Sequence, residues 1–203
     1  MRILVLAILS LGVLSTFAQG AKTNSHKLGI KTSINISTLL GNELQNPRPK
    51  FGYTAGVYYH INQEKAWSLY TEYAASFRGS RFSNGDTGYS KIALFYLDFA
   101  AMPAYRLDNK QTLSFGPYLS YLGLSSVFKG EQQKAYLNDI GMRPLDTGIA
   151  AYYTIQGTVV GFQIGGKLGL ANANKDISFE DLKPAKGSGE AIRSLSLELG
   201  MIF

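Results

Sequence analysis

From about residue 27 onward, apolar and polar side chains alternate with a period of two, the signature of β-strands whose two faces meet different surroundings. Eight such runs can be read. Taking every second residue, the apolar face runs Leu28 to Thr38, Phe51 to Ile61, Trp67 to Phe77 and Ala93 to Pro103. It continues through Leu113 to Tyr121, Leu145 to Ile155, Val160 to Leu170 and Leu195 to Phe203, and no charge falls on it. The interleaved face is rich in Gly and Ser, and it also carries Lys31, Glu72, Arg78, Asp98, Arg106, Asp146, Lys167 and Glu198. The fourth run is the least regular, because Ile92 and Leu94 share a face with Asp98; a bulge or shifted register is expected there.

The sizes of the side chains decide which face points inward. A soluble, lipocalin-like barrel would enclose the apolar set. A small closed barrel has little internal volume, so Trp67, Phe77, Phe95 and Phe99 crowd a lumen that Gly and Ser fill comfortably. The apolar face therefore looks outward, toward lipid. In hydrocarbon every backbone polar group needs a partner, so strands must close without edges. The expected fold is all-β: an eight-stranded antiparallel transmembrane β-barrel, an up-and-down meander.

The gaps between runs alternate in length. Those at 41–50, 79–90, 124–143 and 172–191 are long, and those at 62–66, 107–111 and 156–158 are short. Outer-membrane barrels pair long exterior loops with tight periplasmic turns in this way, which puts both termini in the periplasm. Trp67, Tyr59, Tyr105, Tyr153 and Phe203 then form an aromatic girdle at the periplasmic interface, with Phe51, Tyr53, Phe77 and Tyr121 at the other.

Both ends of the chain agree with export. Met1-Arg2, an apolar stretch from Ile3 to Leu14 and the small-residue exit ending at Ala18 read as a cleaved signal peptide. Residues 1–18 are assigned to it and 19–203 to the barrel. Leu195, Leu197, Leu199, Met201 and Phe203 resemble the terminal strand that the barrel-assembly machinery reads in its clients. The composition fits: 22 glycines, 13 tyrosines and 11 phenylalanines beside a charged fraction of 17%. With no cysteine, disulfide scaffolds and thiolate metal or catalytic sites are excluded.

Residues 96–106, Tyr-Leu-Asp-Phe-Ala-Ala-Met-Pro-Ala-Tyr-Arg, resemble a stretch found in PorT-like outer-membrane β-barrels of the Bacteroidota. Further matches are Gly29, Lys31 and Asn35 of a Gly-x-Lys-x-x-x-Asn strand, Phe115-Gly116-Pro117-Tyr118, and Asp146 with Gly148. The chain departs from the family where Phe99-Ala100 follow Asp98 in place of a proline. The resemblance implies an outer-membrane barrel and, through the founding member, a link to type IX secretion and gliding. It carries fold further than function.

The eight charged residues of the inner face are expected to form ion pairs that plug the lumen, since mutual pairing offsets desolvation and eight strands leave no aqueous channel. His26 and His60 are the only histidines, and neither is placed for hydrolytic chemistry at the outer surface. The stretch Gly161 to Leu168 imitates a phosphate-binding loop but lacks the Ser or Thr after Lys167 and sits inside an alternating strand. The excess of 20 basic over 14 acidic residues does not mark a nucleic-acid binder in an exported chain. Part of it, at Lys50, Arg78, Arg81, Lys91, Arg143 and Arg193, is expected to contact lipopolysaccharide at the outer rim. Partners other than lipid are expected at loops 124–143 and 172–191, through Phe128, Tyr136, Leu137, Ile140, Ile177, Phe179 and Leu182.

Together these features describe a non-enzymatic integral outer-membrane barrel without a cofactor or metal. It is read as a structural or interaction component, an accessory to secretion or gliding machinery. The alternatives are a narrow channel or solute-binding barrel and, behind them, a lipid-modifying enzyme.

Overall fold

A computed structural model describes residues 26–41, 47–83, 89–129, 132–136, 142–173 and 191–203. The signal-peptide assignment and most of loop 172–191, with Ile177, Phe179 and Leu182, lie outside them, as do Leu137 and Ile140. Strands run His26–Leu40 (β1), Pro47–Ile61 (β2), Trp67–Ser83 (β3), Tyr89–Arg106 (β4) and Gln111–Lys129 (β5). They continue as Gln132–Tyr136 (β6), Leu145–Ile155 (β7), Gly161–Gly169 (β8) and Arg193–Ile202 (β9). All pairings are antiparallel, and eight strands close a barrel in the order β4-β3-β2-β1-β9-β8-β7-β5, with β5 returning to β4. The short β6 pairs only with the far end of β5, inside a segment expected to be loop.

The two faces separate as the alternation requires. Phe51 and Leu197 are 68% and 60% exposed on the outside, while Lys167 and Glu198 are 1% and 3% exposed inside. A soluble barrel would show the reverse. The β1–β9 pairing, from Lys31↔Ile202 to Leu40↔Arg193, removes the last free edge.

The strands are longer than expected at one end. β3, β4 and β5 have 17, 18 and 19 residues, against 11, 9 and 10 in β7, β8 and β9. A tilted strand crosses a bilayer in roughly 9–11 residues, so β3–β5 project beyond it at the end bearing the long connections. The irregularity expected in β4 belongs to β5. Phe95 pairs with Leu124 and Tyr96 with Leu122, so Gly123 is an extra residue, a bulge that keeps Leu124 outward. β4 itself keeps strict alternation, and Ile92 and Leu94 point inward.

The interior is stacked in three layers. At the long-connection end, Leu39, Phe82, Ile92, Leu94, Tyr96, Leu122, Met142 and Ala173 form an apolar cluster. At the short-turn end, Tyr58, Tyr70, Tyr118 and Tyr152 pack with Ala100, Met102, Ala104, Ala150 and Ile202. Charged side chains lie between. The tyrosines fit because glycine stands directly across the ladder: Tyr58 faces Gly29, Tyr118 faces Gly148 and Tyr152 faces Gly165. A Cβ on Gly165 would lie 2.4 Å from the Tyr152 ring. These three glycines are thus slots for aromatic rings.

The short turns are built by local chemistry. Asn62 takes φ 58°, a left-handed conformation that Asn tolerates, and its carbonyl accepts from the Lys65 amide at 3.0 Å. In the β4–β5 turn, Asp108 Oδ1 accepts the amides of Lys110 and Gln111, each at 2.7 Å.

Candidate functional site: the buried ionic cluster

Period-two placement aims one side chain from each of five strands at the barrel axis: Lys31 (β1), Glu72 (β3), Asp98 (β4), Lys167 (β8) and Glu198 (β9). Arg78, three turns of alternation above Glu72 on β3, joins them from the long-connection side. The ammonium of Lys167 is the hub, 2.7 Å from Asp98 Oδ2, 3.4 Å from Glu72 Oε1 and 3.5 Å from Glu198 Oε1. Lys31 lies 2.8 Å from Glu72 Oε2 and 2.9 Å from Glu198 Oε2. Arg78 pairs with Asp98 and donates to Ser76 at 3.0 Å and Ser120 at 2.9 Å. Three cations face three carboxylates, so the cluster is neutral as a unit. Each carboxylate meets two cations, which is what allows full charges to persist away from water.

Aromatic rings seal the cluster on both sides. Lys31 Nζ sits 4.0 Å from the centroid of Tyr152, and the Arg78 guanidinium 4.4 Å from that of Tyr96. The Tyr70 hydroxyl donates to Glu72 at 3.3 Å and the Tyr152 hydroxyl to Glu198 at 3.4 Å. The sequence placed these tyrosines on the inner face without revealing this role; only Tyr152, opposed by Gly165 one strand away, carries a local signal for it.

Two of the eight expected lumen residues stand apart. Asp146 is buried but held by hydroxyls, Ser194 at 2.6 Å and Tyr118 at 3.1 Å. Arg106 is only half-buried and does not join the cluster, because it is the last residue of β4, far along the strand from Asp98. Arg78 appears in the expectation for lipopolysaccharide contact as well, and there the structure corrects the reading. Its side chain is buried in the lumen against Asp98 and cannot reach the outer surface. Lys50, Arg81, Lys91, Arg143 and Arg193 are exposed or half-buried at the long-connection end.

His60 is buried, edge-on to Tyr70, with Nε2 2.7 Å from Ser68 Oγ. Ser68 gives its single proton to the Ala104 carbonyl at 3.1 Å. The Ser68 hydroxyl therefore lies between the His60 ring and a backbone carbonyl, and among the described residues no carboxylate pairs with His60. Gly161–Gly169 is a strand paired on both sides, with Lys167 committed to carboxylates, so the phosphate-loop imitation has no cradle.

An outer-membrane barrel model matches residues 17–175. The chain belongs to the outer membrane protein beta-barrel domain family. Membership places it in the outer membrane, where a closed barrel with an apolar exterior is the stable form. Among solved structures, Neisserial surface protein A is similar over 87% of this chain and 97% of its own, at 10% identity and a TM-score of 0.51. Ail, the attachment invasion locus protein of Yersinia pestis, is similar over 89% of this chain and 98% of its own, at 13% identity and a TM-score of 0.47. The likeness to the Neisserial protein is one of fold. No curated protein sequence matches the chain.

Proposed function

We propose that this family member is a non-enzymatic structural or interaction component of the outer membrane whose interior is closed to ions and solutes. Its short turns and both termini face the periplasm, and its long connections face the cell exterior. The carrying observation is Lys167, whose ammonium bridges carboxylates from β3, β4 and β9 on the barrel axis. An ion crossing the lumen would have to break that neutral network and pass the tyrosine layer below and the apolar layer above. Among the described residues no carboxylate completes the Ser68–His60 pair as a triad, which supports the non-enzymatic reading. With the lumen filled, interaction falls to the rim, where β3–β5 carry the sheet beyond the bilayer. The PorT-like motifs favour secretion or gliding machinery as the setting of that interaction.

Planar-bilayer recording of the refolded barrel tests the closure. Porin-sized or stepwise conductance overturns it; the expected result is a silent membrane.

A further inference from the structure

At the long-connection end, four cations gather on one arc of the barrel's outer wall. Arg48 of β2 lies directly opposite Arg81 of β3, and Arg81 directly opposite Lys91 of β4. Cross-strand partners share a face, so this row lies on the outside; Arg48 and Arg81 are exposed and Lys91 half-buried. Lys50 joins it by an unusual path. The β2 register slips between Pro49 and Tyr53, and β3 has Gly79 beneath the slip. A Cβ on Gly79 would lie 3.2 Å from Lys50 Cδ, so the lysine stem crosses the bare glycine toward the row. Its ammonium comes within the electrostatic influence of Arg81 and Lys91. Among the described residues, no carboxylate pairs with Arg48, Lys50 or Arg81.

Like charges directly opposite in a ladder, as Arg48 and Arg81 are, destabilise it, and an anion bound from outside would offset that repulsion. Its height on the wall names the source. Immediately toward the membrane from the row, Tyr53, Phe77 and Phe95 stack as a continuous aromatic strip, with centroids 4.5 Å and 4.9 Å apart. Four residues separate Phe77 from Arg81, about 13 Å along the strand. With the usual tilt this is roughly 10 Å along the membrane normal, enough to pass from the hydrocarbon boundary to the headgroups. Three adjacent strands spread the charges over about 10 Å laterally. The surface thus pairs an apolar strip at acyl-chain depth with a cationic row at headgroup depth.

From this geometry we infer that Arg48, Lys50, Arg81 and Lys91, with Tyr53, Phe77 and Phe95, form a binding site for one phosphorylated glycolipid of the outer leaflet. The sugar phosphates rest on the cations, and the acyl chains lie along the aromatic strip. The assignment of leaflet rests on the orientation proposed above. Arg143 and Arg193 lie outside the site: Arg193 is on β9 and Arg143 precedes β7, on the opposite arc of the barrel.

Native mass spectrometry of the folded, detergent-solubilised full barrel with defined lipids tests this. The probes are diphosphorylated lipid A, its dephosphorylated form, phosphatidylglycerol and phosphatidylethanolamine. The expected result is one retained diphosphorylated lipid A per barrel. Retention should weaken about tenfold or more in R48Q/K50Q/R81Q/K91Q and in the single variant R81E, but not in R143Q/R193Q. Equal retention by wild type and the quadruple variant overturns the site, as does equal retention of the dephosphorylated lipid. Phosphatidylglycerol bound as well as lipid A overturns the glycolipid assignment. Circular dichroism of each variant confirms closure, so loss of the lipid is read only on folded barrels. Accessibility of a cysteine at position 193 in intact cells reports orientation separately, and a barrel inserted the other way is thereby distinguished from a failed site.

Discussion

At the scale of single residues, the lumen is governed by pairing. Lys167 neutralises parts of three carboxylates at once, and removing it leaves Glu72, Asp98 and Glu198 facing only Lys31 and Arg78. Breaking a buried pair on one side costs about 3–5 kcal/mol, because an unpaired charge stays enclosed. Lys167→Met should lower the stability of the barrel in detergent by that order, read as a fall in the urea midpoint at unchanged slope. Adding Asp98→Asn should return part of the loss, a coupling absent if the two charges act independently. The sequence named the charges of this network but not their partners. Lys31 and Glu72 are 41 residues apart, and only the stagger of neighbouring strands brings them to 2.8 Å. Period-two alternation reports which face a side chain takes, and says nothing about its height relative to side chains on other strands; that is why the partners of Lys31 and Lys167 were hidden.

At the scale of strands, the apolar exterior was legible because lipid imposes one rule on every second residue. All eight barrel strands obey it, and the bounds of β7, Leu145–Ile155, coincide with those of the expected run. The ends of β2 to β5 were not legible, since there the outer face turns polar at Arg48, Arg81 and Lys91 while Phe82, Ile92 and Leu94 make the inner face apolar, and the contrast that marks the membrane-spanning part reverses. The bulges were hidden for a related reason. The slip at Pro49 to Tyr53 and the extra Gly123 exist only relative to a partner strand. The same rule sets a prediction for β9. Leu199 faces outward between Ile34 and Ile164, so Leu199→Arg puts a guanidinium into the lipid-facing belt. A destabilisation of about 2–4 kcal/mol is expected if that position lies near the midplane, measured by equilibrium unfolding in lipid vesicles. Ser194→Thr, buried on the inner face near the rim, should leave the vesicle measurement within a fraction of that value.

At the scale of the whole molecule, the two rims of the barrel differ, and the proposed orientation puts the taller one outside the cell. The short turns at Asn62 to Ala66 and Leu107 to Lys110 make a low rim, whereas β3–β5 rise well above the other. The absence of cysteine makes the orientation directly measurable. A single cysteine at Arg193 should react with a membrane-impermeant maleimide in intact cells, and one at Glu64 only after the outer membrane is opened. The opposite pattern would invert the topology while leaving the fold intact.

The seam between the first and last strands has a consequence for how the molecule is made. Lys31 arrives with β1 and Lys167 with β8, but their shared counter-ion Glu198 arrives with β9. A polypeptide stalled before its final segment therefore holds surplus positive charge in a half-rolled sheet, where neither water nor hydrocarbon can accept it. Docking of that segment supplies the missing hydrogen-bonded neighbour for β1 and the missing acid in one event, so insertion should proceed as a single cooperative step without a long-lived open form.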